Sequence, residues 1–130
     1  MNPFQQHGAF SWCELITPDP EAAQAFYGAL LGWTLKPGDV GGMPYTVIET
    51  EGHEIGGIIG PPPASPNMPP TWGTYITVDD VDATVEKAQT LGGKALMPPM
   101  DIPTVGKFAL IQDPQGATFC VISYAAQAAA

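Results

Sequence analysis

Positive charge is scarce in this chain: four Lys and Arg stand against thirteen Asp and Glu, a formal net charge of -9 over 130 residues. So few cations leave almost nothing to neutralise phosphates, which excludes nucleic acid and anionic membrane surfaces as natural partners and favours a neutral or cationic small molecule. Charged residues make up 13% of the chain, about half of the roughly 25% usual in globular proteins. Long apolar runs are missing as well: no segment approaches the roughly 18 residues of a membrane span, and Met1 to His7 has no basic stretch leading into an apolar one. No membrane association and a cytosolic location are therefore expected. There are two cysteines, Cys13 and Cys120; strand alternation puts them on opposite faces, and cytosolic thiols stay reduced. Catalytic signatures are absent too, with no His-Glu-x-x-His, no Cys-x-x-Cys, no phosphate loop and no nucleophile elbow. The two histidines, His7 in the N-terminal arm and His53 in an expected hairpin turn, read as surface residues.

What is present is a repeat. Leu15-Ile16-Thr17-Pro18-Asp19-Pro20-Glu21-Ala22 is echoed at Ile76-Thr77-Val78-Asp79-Asp80-Val81-Asp82-Ala83, and the echo runs on through Leu30 and Leu91 and through Gly32 and Gly93. Duplication at a fixed spacing sets the architecture before any motif is read. The length fits one compact domain, 1–130, made of two half-size units. The first, 8–60, begins with a strand over about Ala9 to Thr17. It continues into a helix with Asp19 as N-cap, Pro20 at its first position and Gly32 as its stop. Ala23, Phe26, Tyr27 and Leu30 fall at helical spacing and predict a core stripe. Trp33 to Leu35 then predicts a second strand, Pro37-Gly38 and Gly41-Gly42 a loop, Tyr45 to Thr50 a third strand, and Glu51-Gly52-His53 a turn into a fourth over Glu54 to Ile59.

A stiff, proline-rich connector follows at 61–71. The second unit, 72–124, has a strand from Trp72 to Val78 and a helix capped by Asp80, with Val81, Val85, Ala88 and Leu91 on one face and Gly92-Gly93 at its end. Strands at Lys94 to Met97, Lys107 to Gln112 and Ala117 to Ser123 complete it, with Asp113-Pro114-Gln115-Gly116 as the last turn. The tail 125–130 is expected to fray.

Glu21 to Tyr27 leading to Leu30-Leu31-Gly32-Trp33, Val78-Asp79-Asp80-Val81-Asp82, and Asp113-Pro114-Gln115-Gly116, set in a duplicated βαβββ pattern, resemble the vicinal oxygen chelate superfamily. That group includes glyoxalase I, extradiol dioxygenases, bleomycin and fosfomycin resistance proteins, and methylmalonyl-CoA epimerase. The resemblance covers about residues 8 to 124. Trp72 to Val81 and Pro98-Pro99-Met100-Asp101-Ile102-Pro103 are more narrowly similar to the actinobacterial antigen and "hydroxylase" subgroup of glyoxalase-like proteins. It implies an α+β fold of two tandem βαβββ units forming a curved, cup-shaped mixed sheet with the helices outside, sites within the cup, and a homodimer. Fold carries over from such a resemblance far better than reaction does.

The resemblance also implies four positions for a divalent metal, on the first and last strands of each copy, where relatives place His, Glu or Gln. Counted from the shared motifs, these are Trp12, Gly56, Gly73 and Cys120. None supplies a hard oxygen or imidazole donor, so neither a metal nor another cofactor is expected. Strand alternation puts Glu14 on the face of Trp12, and the repeat makes Tyr75 its counterpart in the second copy. The expected site therefore has Glu14 and Tyr75 as catalytic candidates and Trp12, Gly56, Gly73, Phe108 and Cys120 as its walls. A carboxylate beside Trp12 suits general acid–base work on a small carbonyl or enolisable compound, of lyase or isomerase type, with Tyr75 polarising an oxygen. A satisfied structural carboxylate is the plain alternative for Glu14. For the whole chain, the alternatives are a non-catalytic binding or sequestering protein of the bleomycin-resistance type, holding a cationic or planar compound, and a scaffold that keeps only the fold.

Overall fold

The structure is a computed structural model that describes residues 1–63 and 65–125; the frayed tail expected at 125–130 lies, beyond Ala125, outside the described residues. Two compact units are found: Trp12–Gly73, and Met1–Ser11 together with the described residues from Thr74 on. They are called here the Trp12 unit and the Thr74 unit.

The Trp12 unit holds most of β1 (Phe10–Ile16), then α1 (Pro20–Leu31), β2 (Thr34–Val40), β3 (Met43–Thr50) and β4 (His53–Ile59). Local chemistry sets the helix ends: Asp19 Oδ1 accepts from the Ala22 N–H at 3.1 Å, Pro20 opens the first turn, and Gly32 closes the last at φ 71°. The strands lie in the order β2-β3-β4-β1, antiparallel except for β1 against β4, and α1 supplies the crossover that a parallel pair needs. Both hairpins have positive φ at two successive residues, Gly41 and Gly42 (59° and 86°) and Glu51 and Gly52 (53° and 79°), as two-residue type I′ turns require. The second hairpin leaves His53 as the first residue of β4, paired with Thr50, and not in the turn where the sequence places it.

Pro37-Gly38, expected as loop, lie within β2, with Pro37 opposite Thr46 and Gly38 opposite Tyr45. Within this unit β2 has a partner on one side only, so a proline can sit there without breaking a second ladder. Leu15, Ile48 and Ile58 form the core, with Ala23, Tyr27, Trp33 and Leu35 packed against them. The expected stripe on α1 is narrower than read: Ala23 and Tyr27, one turn apart, reach the core, whereas Phe26 is 58% and Leu30 62% exposed. Trp72 crosses Tyr27 and Trp33 edge-on at 5.5 and 6.2 Å, and its Nε1–H donates to the Tyr27 hydroxyl at 3.2 Å.

The Thr74 unit repeats the plan with most of β5 (Thr71–Thr77), then α2 (Val81–Thr90), β6 (Lys94–Ile102), β7 (Gly106–Gln112) and β8 (Thr118–Tyr124), in the order β5-β8-β7-β6 with β5 parallel to β8. Asp80 caps α2 by accepting from Ala83 N at 3.0 Å, and Val81 and Val85 enter a core of Val78, Ala109, Ile111 and Val121. The helix stops at Thr90, which leaves Leu91 67% exposed instead of on the core face. Strand β6 runs past Met97 through Pro98 and Pro99 to Ile102, with register shifts on either side of Met97 that accommodate the prolines on a strand paired only with β7 here. Asp113 Oδ1 accepts from the N–H groups of Gln115 and Ala117 and builds the last turn. The N-terminal arm is tied to this unit by Gly8 N–H to Thr77 O, Thr77 Oγ–H to Pro3 O, and an edge-on contact of Phe4 with Tyr124 at 5.0 Å. The fold is α+β, two βαβββ arrangements in one chain.

Candidate functional site

Leu15 packs toward α1, so alternation along β1 turns Trp12 and Glu14 to the opposite face of the Trp12 unit's sheet. The β1–β4 register then decides which glycine stands beside them. Cys13 is level with Gly56 and Glu14 with Gly57. Gly56, expected from the repeat, thus lies on the α1 side, where an added Cβ would come within 2.5 Å of Cys13 O and 3.6 Å of Ile48 Cδ1. Gly57 is the residue on the face of Glu14 and Trp12. The slip by one accompanies a register shift between Ile48 and Glu49, where β4 carries one extra residue, Ile55, between the partners Glu54 and Gly56; a count taken from the repeat does not include such a bulge.

Gly57 is buried, and its missing side chain has a use. Tyr45, paired with Ile59 two residues further along β4, lies across it, and a Cβ built at Gly57 would overlap the Tyr45 phenol oxygen and ring. The same oxygen accepts a hydrogen bond from Trp12 Nε1–H at 2.8 Å. Tyr45 is 9% exposed, and Trp12 and Glu14 are half-buried. Gly73 comes close to the backbone of Glu14: a Cβ there would meet nothing nearer than Glu14 O at 3.8 Å. Trp12, Glu14, Tyr45, Gly57 and Gly73 therefore meet within the Trp12 unit. Sequence reading missed Tyr45; the signal available was an aromatic on the strand opposite a Gly-Gly pair, the pattern left when a large side chain leans over a residue without one.

In the Thr74 unit, Tyr75 is level with Cys120 across β5–β8, and Cys120 with Leu110 across β8–β7. The Tyr75 and Phe108 rings are 6.3 Å apart, tilted by 46°. Ala109 and Val121 point into the core beneath α2, so Tyr75, Phe108 and Cys120 share the opposite face. Tyr75 is buried there at 8% exposure. A separate recess of about 410 Å³ lies on the helix side, walled by His7, Asp79, Leu91, Ile111 and Phe119, and contains none of these residues. His7 takes the Asp79 N–H on Nδ1 at 3.0 Å and is half exposed, and His53 is exposed.

At the positions that the resemblance implies for a metal, the Trp12 unit offers an indole (Trp12) and glycines (Gly56, with Gly57 beside it, and Gly73), and the Thr74 unit, taken by itself, a thiol (Cys120). A hard divalent cation needs several oxygen or imidazole donors, so these residues do not fit it. Among the described residues no three His, Cys, Asp or Glu side chains converge elsewhere. Charge is one-sided. Lys36, the single lysine of the Trp12 unit, gives its ammonium to Glu49 at 2.7 Å, and that bond raises its pKa. Lys107 is likewise held by Asp82 at 2.9 Å.

The family model for the Glyoxalase/Bleomycin resistance protein/Dioxygenase superfamily matches residues 9–121. The chain is 43% identical over 121 residues to a protein named "Putative glyoxylase CFP32" in Mycobacterium tuberculosis, covering 92% of this chain and 46% of that protein. It is 34% identical over 127 residues to the anthracycline biosynthesis protein DnrV of Streptomyces peucetius, covering 88% of this chain and again 46% of the relative. The chain thus spans about half the length of these curated relatives. Among solved structures, methylmalonyl-CoA epimerase from Mycobacterium tuberculosis superposes with a TM-score of 0.68 at 15% identity, over 94% of this chain and 91% of the other. The Streptomyces coelicolor epimerase in complex with 2-nitronate-propionyl-CoA gives 0.68 at 14% identity, over 93% and 100%. At such identities the likeness is one of fold.

Proposed function

Because the chain belongs to the Glyoxalase/Bleomycin resistance protein/Dioxygenase superfamily, we propose that it is a small-molecule enzyme acting on a carbonyl or enolisable compound, with Glu14 as the group that moves the proton. One observation carries this reading: Glu14 stands half-buried beside Trp12, with Gly57 level with it and Gly73 open at its backbone. A carboxylate next to an indole, with Gly73 bringing no side chain to its backbone, can take a ligand within its reach, and general acid–base transfer is the chemistry that a single carboxylate can supply. The donor set at the four positions gives a metal no part in that step.

The substrate class follows from charge. Coenzyme A esters, the ligands named for the epimerase structures, carry several phosphate charges. This chain has a net charge of -9, and the lysine of the Trp12 unit is already paired. A neutral or cationic carbonyl compound fits better. Tyr75, Phe108 and Cys120 form a second patch on the Thr74 unit that we assign to ligand contact, with Tyr75 as its hydrogen-bonding group. The same aromatic, acidic character supports a second reading, non-catalytic binding of a planar or cationic compound, for which saturable quenching of tryptophan emission without product is the signature.

We also take the chain to be a cytosolic homodimer. The exposed Phe26, Leu30 and Leu31 on α1 supply apolar surface for a contact, neither cysteine is in a disulfide, and no helix among the described residues is long and apolar enough to cross a membrane. Sedimentation analysis that returns a monomer would remove the dimer.

Deuterium exchange tests the enzyme reading. The chain is incubated in D₂O with the hemithioacetal of methylglyoxal and 2-mercaptoethanol, an uncharged compound with an acidic C–H beside a carbonyl, and exchange at that carbon is followed by proton NMR. Glu14→Gln should slow exchange by about 10² to 10⁴-fold. An unchanged rate in the variant sinks the assignment of Glu14.

A further inference from the structure

We propose that Tyr45 is the second catalytic residue of the Glu14 site, its hydroxyl hydrogen-bonding the substrate's carbonyl oxygen and holding the charge that develops there. This rests on the reading of Glu14 as the base and deepens it. Three features of the Trp12 unit point to the assignment.

The first is position. Glu14 is level with Gly57, and the Tyr45 oxygen fills the volume that a Gly57 side chain would enter. Neighbouring paired strands lie about 4.7–4.9 Å apart. The phenol oxygen therefore stands within a small molecule's span of the Glu14 side chain, offered from β3 over a strand that has withdrawn its own. The second is preparation. Trp12 Nε1–H donates to the phenol oxygen at 2.8 Å, which fixes the hydroxyl and, by polarising it, makes it a better donor in turn. The third is surroundings. At 9% exposure Tyr45 is largely shielded from water, where a fixed donor is worth more than it would be in solution.

The step balances without a further reactant. Glu14 takes the proton from the carbon next to the carbonyl. The electrons of that C–H bond become a C–C double bond, and the carbonyl π pair moves onto the oxygen that Tyr45 holds. Return of the proton from Glu14 to carbon reverses the flow. The neutral phenol thereby supplies the stabilisation that the developing charge on the oxygen needs.

Tyr45→Phe keeps the ring packed over Gly57 and removes only the hydroxyl, so it separates chemistry from folding. In the exchange assay above, kcat should fall by about 10² to 10³-fold, the usual cost of one oxyanion donor, with KM within a few-fold of the parent and the circular dichroism melt retained. A raised KM with unchanged kcat would show Tyr45 to be only a prop for Trp12 and would overturn the proposal. If Glu14→Gln stops exchange while Tyr45→Phe exchanges at the parent rate, the proposal fails and the base assignment stands. If Glu14→Gln exchanges normally, the base assignment fails and this proposal with it. No exchange by the parent chain likewise overturns both.

Discussion

A methyl group at Gly57 would overlap the Tyr45 phenol, so the two residues can be tested as one steric unit. Gly→Ala in a strand ordinarily gains about 0.4–1 kcal/mol by restraining the unfolded chain. Here the overlap reverses the sign, and overpacking of this kind costs about 1–3 kcal/mol. Tyr45→Ala alone should also destabilise, through the lost ring and the lost acceptor for Trp12 Nε1–H. In the double variant the clash is gone, so the combined loss in urea melts should be smaller than the sum by about 0.5–3 kcal/mol. Strict additivity would mean that the phenol does not lie over Gly57. The pairing also shows what sequence could not supply about the site. Trp12 and Glu14 were readable because alternation along one strand is local. Gly57 and Tyr45 depend on two inter-strand registers, β1–β4 and β3–β4, the second shifted by one residue between Ile48 and Glu49.

Helix caps are local too, and Asp19, Gly32 and Asp80 act where their residue types and spacing place them. Asp19→Ala should cost about 1 kcal/mol, read from a denaturant midpoint with unchanged m-value, because the Ala22 N–H loses its acceptor at the start of α1. Elements were misread where an outcome depended on a neighbour. Helical spacing gathers Ala23, Phe26, Tyr27 and Leu30 onto one side, but which sector meets the sheet is decided by packing, and only Ala23 and Tyr27 do. Proline forbids a strand flanked on both sides yet not one paired on a single side, so Pro37 and Pro98-Pro99 could not be placed before the strand order was known. The N-terminal arm carries its own test. Burial raises the Tyr124 pKa above 10.0, against the smaller lowering effect of its bond to Ser11. The folded unit therefore prefers neutral Tyr124, and this contribution is complete below pH 10, then lost as pH rises through the raised value. Melting temperature should drop more steeply above pH 10 in the parent than in Tyr124→Phe; equal slopes would show that ionisation of Tyr124 does not govern alkaline loosening.

Across the whole molecule, the charge imbalance that limits what the chain can bind also acts on its stability. Thirteen acids face four lysines, so most charge pairs repel, and folding gathers them into a smaller volume than the unfolded chain does. Among the described residues two lysine pairs work the other way, Lys36 with Glu49 and Lys107 with Asp82, but exposed pairs are worth about 0–1 kcal/mol each. Salt weakens both effects. Between 0.1 and 1 M the screening length falls from about 10 Å to about 3 Å, which removes repulsion between distant acids more completely than attraction between atoms in contact. The melting temperature should therefore rise with added sodium chloride at pH 7, and rise less at pH 4, where part of the carboxylates are protonated and the net charge is small. A fall with salt at pH 7 would mean that the two ion pairs outweigh the repulsion. The same imbalance would then no longer argue against a polyanionic ligand, and coenzyme A titrated by calorimetry, expected to give no saturable heat, would become the deciding measurement for the substrate class.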